Sequence, residues 1–285
     1  MRLAYTADLH GNTAALAALI ELAATTGARA AIVGGDLLPH AIQRETALTT
    51  QRRWIAGHLA PLLQSARAQH PQIAVYLLPG NDDWAAAIAD LDALAAAGLL
   101  LLLHERVYQL ADDLWLAGYG CVPPTPFSIK DYERRDDDGD LPPINFTMAY
   151  VSTGGTITAA SPATFFARPT IASGLAALTQ QSDPARTVYV CHAPPYDTPL
   201  DAMPRRRHVG SRALRAFITQ HQPPLTLHGH IHEAPRISGQ YAAQLGTTWC
   251  INPGHDGRAF HAVALDTDDI AHSIEHTVFG RPTSI

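Results

Sequence analysis

The chain has 285 residues, of which 47% are hydrophobic and only 16% charged; it is long enough for one substantial core and unlike a disordered or fibrous composition. Its formal net charge of −6 excludes a global attraction to nucleic acid or to an anionic membrane surface, so an electropositive site would have to be made locally, for instance by metal ions. The longest apolar stretch, Ala93 to Leu103, falls well short of the roughly 18 to 20 residues that cross a bilayer.

Asp8 arrives before any apolar leader develops, and Cys121, Cys191 and Cys250 are widely separated with no C-x-x-C pair. A cytoplasmic chain without a signal peptide, its thiols buried or incidental, is the expectation.

In chain order, Leu3–Thr6 reads as a strand, Thr13–Ala24 as a helix, Ala30–Val33 as a strand and Glu45–Ala66 as a long, interrupted helical region. Ile73–Leu78 is again strand-like and Trp84–Ala97 helical. Strands alternating with helices predict βαβ units and an α/β fold. Val107–Gly118 is β-rich. From Cys121 to about Asp183 periodicity is lost, and an irregular insertion is expected that is either a lid over substrate or partly mobile. Strand character returns at Thr187–Cys191, followed by a helix near Gly210–Gln220 and strands at Leu225–Leu227, Ala242–Leu245, Thr248–Ile251 and His261–Leu265.

Five of these apolar runs end in polar residues suited to metal: Asp8-Leu9-His10, Gly34-Gly35-Asp36, Gly80-Asn81-Asp82-Asp83, Cys191-His192 and Gly229-His230-Ile231-His232. Ligands of open α/β sheets bind beyond the carboxyl ends of the strands. Alternate residues of an extended segment share a face, so Asp8 is expected to point with His10, and His230 with His232. Glycines at 34, 35, 80 and 229 leave room where the backbone turns beside the site. Singly, each motif is commonplace; a lone Gly-Asn-Asp is ordinarily a turn. Together they supply three oxygen ligands (Asp8, Asp36, Asn81) and four imidazoles (His10, His192, His230, His232). That is too many for one four-coordinate ion and enough for two if a carboxylate bridges. Mixed N/O donors without thiolate favour Mn, Fe or Zn, divalent or trivalent.

The series Asp8-x-His10, Gly35-Asp36, Gly80-Asn81, His192 and Gly229-His230-x-His232 resembles the calcineurin-like metallophosphoesterase superfamily, in particular its bacterial and archaeal phosphodiesterase-like branch. The resemblance implies a four-layer α/β/β/α sandwich with two mixed sheets flanked by helices, in a single domain spanning 1–285. It also implies a dinuclear centre: one ion on Asp8, His10 and His232, the other on Asn81, His192 and His230, with Asp36 between them. Asn252-Pro253-Gly254 resembles a late turn of the family that supports the fold without ligating.

One position departs from the family pattern. Gly-Asn is usually followed by a histidine that stabilises the phosphoryl group or protonates the leaving oxygen, and here Asp82 stands there. A carboxylate ionised near neutral pH cannot donate a proton and repels an anionic ester. Asp83 is then a candidate for orienting a ligand or Asp82. His40 and His208 are candidates to compensate, His40 reading more readily as a surface residue and His208 equally as catalytic or as an ordinary loop residue. Arg205-Arg206-Arg207 suits either a bidentate phosphate grip or a solvated turn. His228 reads as packing.

Other patterns carry less. Asp201, His208 and Ser211 have the residue types of a hydrolase triad without the Gly-x-Ser-x-Gly elbow. Gly154-Gly155-Thr156 is a turn without a phosphate-loop motif. The run Arg134–Asp140 is expected to be a solvated loop, and Phe127, Tyr132 and Phe146 either to anchor the insertion, the favoured reading, or to stack on a base or close over the site. The resulting expectation is a hydrolase in which a two-metal site activates water against a small phosphoester, diesters and aryl esters reacting better than alkyl monoesters. Two alternatives are a metal-binding scaffold without catalysis and a nuclease, the latter disfavoured by net acidity.

Overall fold

A computed structural model describes residues 1–41, 43–140, 148–152 and 155–282, with the side chains of Thr164 and Arg206 excluded. Phe146 and Gly154 thus lie outside the described residues. The chain opens with β1 (Arg2–Thr6), α1 (Thr13–Thr26) and β2 (Ala30–Gly34), then α2 (Arg44–Trp54) and α3 (Ala60–Gln69) joined through a π-helical turn at Ile55–Leu59. β3 (Ala74–Leu78), the short helices α4 (Ala85–Ile88) and α5 (Leu91–Ala96) and β4 (Leu101–Leu102) follow, and the β5 (Val107–Ala111) and β6 (Leu114–Tyr119) pair closes the first half. The helical region at 45–66 keeps helical backbone throughout, its α pattern interrupted only by the π turn, in which Ala60 N–H reaches back to Ile55 O just before Pro61, which has no N–H to give.

The second half carries β7 (Tyr150–Val151), β8 (Thr158–Ala159), α6 (Pro162–Phe166) and α7 (Ile171–Thr179), then β9 (Thr187–Cys191), β10 (Ala202–Met203), β11 (Arg207–His208) and α8 (Arg212–His221). It ends with β12 (Leu225–Leu227), α9 (Ala234–Ser238), β13 (Ala242–Leu245), β14 (Thr248–Ile251), β15 (Val263–Asp266), α10 (Ile270–Ser273) and β16 (Glu275–His276).

Two six-stranded sheets result, ordered β16-β15-β1-β2-β3-β4 and β13-β14-β12-β9-β6-β5. Both are mixed: β1, β2, β3 and β4 are parallel with β15 antiparallel at the side, and β6, β9, β12 and β14 are parallel with β5 and β13 antiparallel. The two-residue period of a strand sorts the side chains into layers. Ala4, Ala31 and Val33 face a core with α1, α2 and α3. Leu3, Tyr5, Ile32 and Tyr76 meet Leu116, Val188, Leu225 and Ile251 between the sheets. Tyr119, Tyr189 and Cys250 meet Leu175, Leu214 and Phe217 beneath α7 and α8. The architecture is therefore the four-layer α/β/β/α sandwich. Register holds the carboxyl ends level: Thr6 pairs with Val33, Gly34 with Leu78, Tyr119 with Cys191, and Val190 with Leu227.

The described part of the 121–183 segment is more ordered than its sequence suggests. Thr170 caps α7 by accepting from Ser173 N–H, and Ile171, Leu175 and Leu178 bury one face of the helix. The charged run is a solvated loop only in its second half, where Asp137, Asp138 and Gly139 are exposed. Arg135 and Asp136 are only 6% and 5% exposed. Arg135 donates to Asp138 O at 2.7 Å and lies over the Phe166 ring, while Asp136 accepts from Arg212 N–H at 2.9 Å and from the Ser211 hydroxyl at the start of α8. Lys130 and Glu133 form a buried ion pair, Nζ donating to both carboxylate oxygens at 2.9 and 2.8 Å and to Thr125 O at 2.9 Å. Tyr132 is buried against His104, whereas Phe127 is exposed. Among the described residues no helix is long and apolar enough to cross a membrane. All three cysteines are free and buried.

Candidate metal centre

The loops leaving the level strand ends of the two sheets meet. The expected strand alternation is not what aims their side chains. β1 stops at Thr6 and β12 at Leu227, and beyond them Asp8, His10, Asp36 and His230 adopt left-handed backbone, with φ of 59°, 45°, 50° and 66°. Non-glycine residues there are uncommon and cost energy, and such strain concentrates at functional sites. Neighbouring backbone bonds hold these turns: Asp8 N–H donates to Gly35 O at 3.0 Å and His10 N–H to Asp36 O at 2.8 Å. Across the sheets, His230 N–H donates to the Asp8 carboxylate at 3.0 Å, and the Tyr5 hydroxyl to His228 O at 2.8 Å.

Ligand-type atoms of Asp8, His10, Asp36 and His232 all lie within 4.8 Å of one another, and so do those of Asp36, His192 and His230. Asp36 belongs to both groups. His192 shares its Nδ1 with Gly34 O at 2.8 Å, leaving Nε2 facing Asp36 at 3.2 Å. His10 and His232 point Nε2 at each other across 3.3 Å, and His232 Nε2 is 3.4 Å from Asp8. Asn81 is buried, its Nδ2 donating to Asp82 at 3.1 Å so that Oδ1 is left over. Asn81 Oδ1 and His192 Nε2 are buried without a hydrogen-bond partner. Facing ring nitrogens and orphaned oxygen and nitrogen donors are what a cation would satisfy, so the residues present fit a metal pair.

Charge gives the same answer. Burial alone would raise the Asp8 carboxyl, but the His232 and His192 charges hold it down at about 2. Asp36 is held further down in the same way by His192. Burial is likewise outweighed at His192 and His232, which Asp36 and Asp8 respectively raise to about 9, so imidazolium charge stands where cations would. Burial lowers His10 to about 4 and His230 to about 3, leaving both neutral with lone pairs available.

All four glycines beside the site are required by space: a Cβ on Gly34 would collide with the Tyr5 hydroxyl and one on Gly35 with the His192 ring. A Cβ on Gly80 would stand 2.7 Å from His192 Nε2 and 2.5 Å from the Asp36 nitrogen, and one on Gly229 would be 2.8 Å from the Asp8 carboxylate.

The sequence model of the family described as calcineurin-like phosphoesterase matches residues 1–234. The chain belongs to the calcineurin-like phosphoesterases. Among solved structures it resembles the protein TT1561 of Thermus thermophilus, with 18% identity, TM-score 0.61, and 96% of this chain and 97% of that one covered. It also resembles a dimetal phosphatase from Danio rerio, with 13% identity, TM-score 0.55, and 93% and 91% covered. Both are likenesses of fold. No curated protein matches the chain by sequence.

Against the family pattern, Asp82 occupies the mouth of this phosphoesterase site. Its N–H donates to Asp36 at 2.8 Å, and its carboxylate is 3.4 Å from His40 and 3.9 Å from His10. Burial, then the Asp36 and Asp83 charges, raise its carboxyl to about 8. Asp83 is wholly buried and accepts from Leu37, Leu38 and Gly80 N–H at 3.2, 2.8 and 2.9 Å, tying the Asp36 loop to the Asn81 loop.

His208 is held by wholly buried Asp201 at 2.7 Å, with Asp197 and Tyr196 as its other neighbours rather than any of the seven ligand candidates. Ser211 is committed to capping α8, which removes the triad reading. Of the arginine triplet, Arg207 is exposed in β11.

His228 packs, its ring bonded to Cys191 O, Ala193 O and Thr226. Asn252 supports the fold: its amide donates to Leu200, Gly229 and Ile231 carbonyls and so braces the His230–His232 turn. Two further histidines neighbour the centre: His40, which the sequence offers as a candidate but which reads there more readily as a surface residue, and His255, which the sequence does not single out. His40 stacks on His10 at 4.4 Å, and His255 lies 5.4 Å from the His232 ring. The signal for His255 is its place directly after the Asn252-Pro253-Gly254 turn, whose bracing role hides it.

Proposed function

We propose that this calcineurin-like phosphoesterase hydrolyses small phosphodiesters or aryl phosphoesters with the help of two transition-metal ions, Mn, Fe or Zn. The observation that carries the reading is the pair of His/Asp groups sharing Asp36 at the meeting of two sheets. Asp8, His10 and His232 would hold one ion, Asn81, His192 and His230 the other, and Asp36 both. When bound, such ions lower the pKa of a coordinated water and neutralise phosphate charge for in-line attack.

The chain's own contribution is positional. Gly34 O fixes the tautomer and plane of His192, the Asp82 N–H steadies Asp36, and Asp83 locks the two loops at a set separation. Asp82 is the group at the mouth, and a carboxylate beside cations gives up its proton more readily, so it supplies poor acid assistance to a leaving oxygen. Esters whose leaving groups need little protonation therefore suit the site. We assign no direct contact with substrate to Asp83 or His208: Asp83 positions, and His208 sits on the Asp201 turn outside the ligand groups.

In the same proposal the chain works as one domain in a reducing cytoplasm, consistent with three free cysteines, and residues 121–183 cover the substrate. Net acidity disfavours nucleic acid as that substrate. The test is hydrolysis of bis(4-nitrophenyl) phosphate against an alkyl phosphate monoester by protein reconstituted with each metal. Metal-dependent turnover with the diester faster supports the reading, and faster turnover of the alkyl monoester overturns it.

A further inference from the structure

Beside the centre lies a cavity of about 280 Å³ whose wall includes Asp82 and His40. Its other walls are largely apolar and aromatic, from Trp84, Ile129, Met148 and Tyr150, with Arg44 and Ala47 contributed by α2. The cavity therefore joins a phosphate-side rim, through Asp82 and His40, to a greasy recess roofed by the insertion.

The recess is built. Gln51, itself buried, accepts from Trp84 N–H at 2.9 Å and donates to Asp82 O at 3.0 Å, fixing the floor to the rim. Arg44 donates to the Tyr150 hydroxyl at 2.6 Å and lies over its ring at 4.7 Å, pinning the roof to α2, while Glu45 takes up the guanidinium charge at 2.9 Å. Met148 is 68% exposed at the edge, an adaptable thioether well suited to covering an aromatic face. With its one cation already paired and its walls apolar, the recess does not select for a second anionic group; it selects for a flat, weakly polar one.

We propose that this cavity is the subsite for an aromatic group esterified to the phosphate, so that aryl or heteroaromatic esters are favoured over alkyl esters by binding as well as by leaving-group chemistry. The inference rests on the phosphoesterase reading, since it orients the ester by the metal centre. Unlike that reading, it concerns affinity and can be tested without turnover.

The experiment is calorimetric titration of the manganese-loaded protein with phenylphosphonate and with methylphosphonate, which share a phosphonate head and differ in the group directed into the recess. Phenylphosphonate is expected to bind at least about tenfold more tightly, equivalent to about 1.4 kcal/mol. Tyr150→Ala and Met148→Ala are each expected to shrink the ratio, and Tyr150→Phe, which keeps the ring, to preserve it; thermal unfolding checks that the variants are folded. Equal affinities in the parent protein, or a ratio untouched by both alanine variants, would overturn the subsite and leave the phosphoesterase reading standing. Binding of neither phosphonate would overturn both.

Discussion

Gly80→Ala tests the centre most sharply, because it adds one methyl and no charge. The new Cβ would stand 2.7 Å from His192 Nε2 and 2.5 Å from the Asp36 nitrogen, and would collide with the Asp36 carboxylate, where ordinary contact begins at 3.4 Å. Ring and loop must therefore retreat by most of an ångström, and Asp83, which binds the Gly80 N–H and the Leu37 and Leu38 N–H groups together, couples their movements. A misplacement of about 1 Å in a positioned group costs on the order of 100-fold in rate, and disturbed ligand orientation costs about 10- to 100-fold in metal affinity.

The matched control is Gly57→Ala in the exposed π turn, where a Cβ meets nothing within 4 Å. It is expected to be neutral or to stabilise by about 0.4–1 kcal/mol. Metal content by mass spectrometry and kcat/KM on an aryl diester are the assays. Gly80→Ala protein that keeps the parent's metal content and a kcat/KM within about threefold of it would refute the reasoning that Gly80 is glycine for the sake of Asp36 and His192.

Asp36→Asn is expected to release metal more completely than His10→Ala, because Asp36 alone belongs to both donor groups; equal retention in the two variants would argue against a shared carboxylate. Lys130→Met leaves Glu133 buried without its cation and should cost about 3–5 kcal/mol in urea denaturation, with Lys130→Met plus Glu133→Leu recovering most of it. A loss below about 1 kcal/mol for the single change would mean the pair is structurally idle. His276 gives the pH prediction. Burial lowers it to about 4. Its Nδ1 accepts from Val278 N–H at 2.9 Å while Nε2 donates to Pro253 O at 3.0 Å, so the neutral form is fully used. The unfolded chain takes up this proton near pH 6.5 and the folded chain does not, so the contribution is present above about 6.5 and declines toward pH 4, by up to about 1.4 kcal/mol per pH unit. Denaturation measured across that window should show a shallower slope for His276→Gln; an unchanged slope would contradict it.

The layered fold and the ligand candidates were legible because strands of apolar residues ending in Asp, Asn, Gly and His leave a trace in any order of reading. What aims those residues was not, since period-two alternation describes Thr6 and Leu227 but not the left-handed backbone of Asp8 or His230. The helix Ile171–Thr179 was missed although Ile171, Leu175 and Leu178 have helical spacing, because the polar and glycine-rich residues before it set the impression of the whole segment. Arg135 and Asp136 looked solvated because charge alone says nothing of a partner; theirs are Phe166 and the start of α8. His40 was legible only as an isolated residue, since its stacking on His10 joins two loops that the sequence does not show to be adjacent.

The division of the donor set between two stacked sheets has a mechanical consequence. Asp8, His10, Asp36 and Asn81 belong to one layer, and His192, His230 and His232 to the other. Sliding one layer past the other by a single residue, about 3.3 Å, would exceed any bond length available to a coordinated ion. A cation seated there acts as a rivet through the sandwich, and chelation should loosen the shear resistance of the whole interior, well away from the rim where the ion sits.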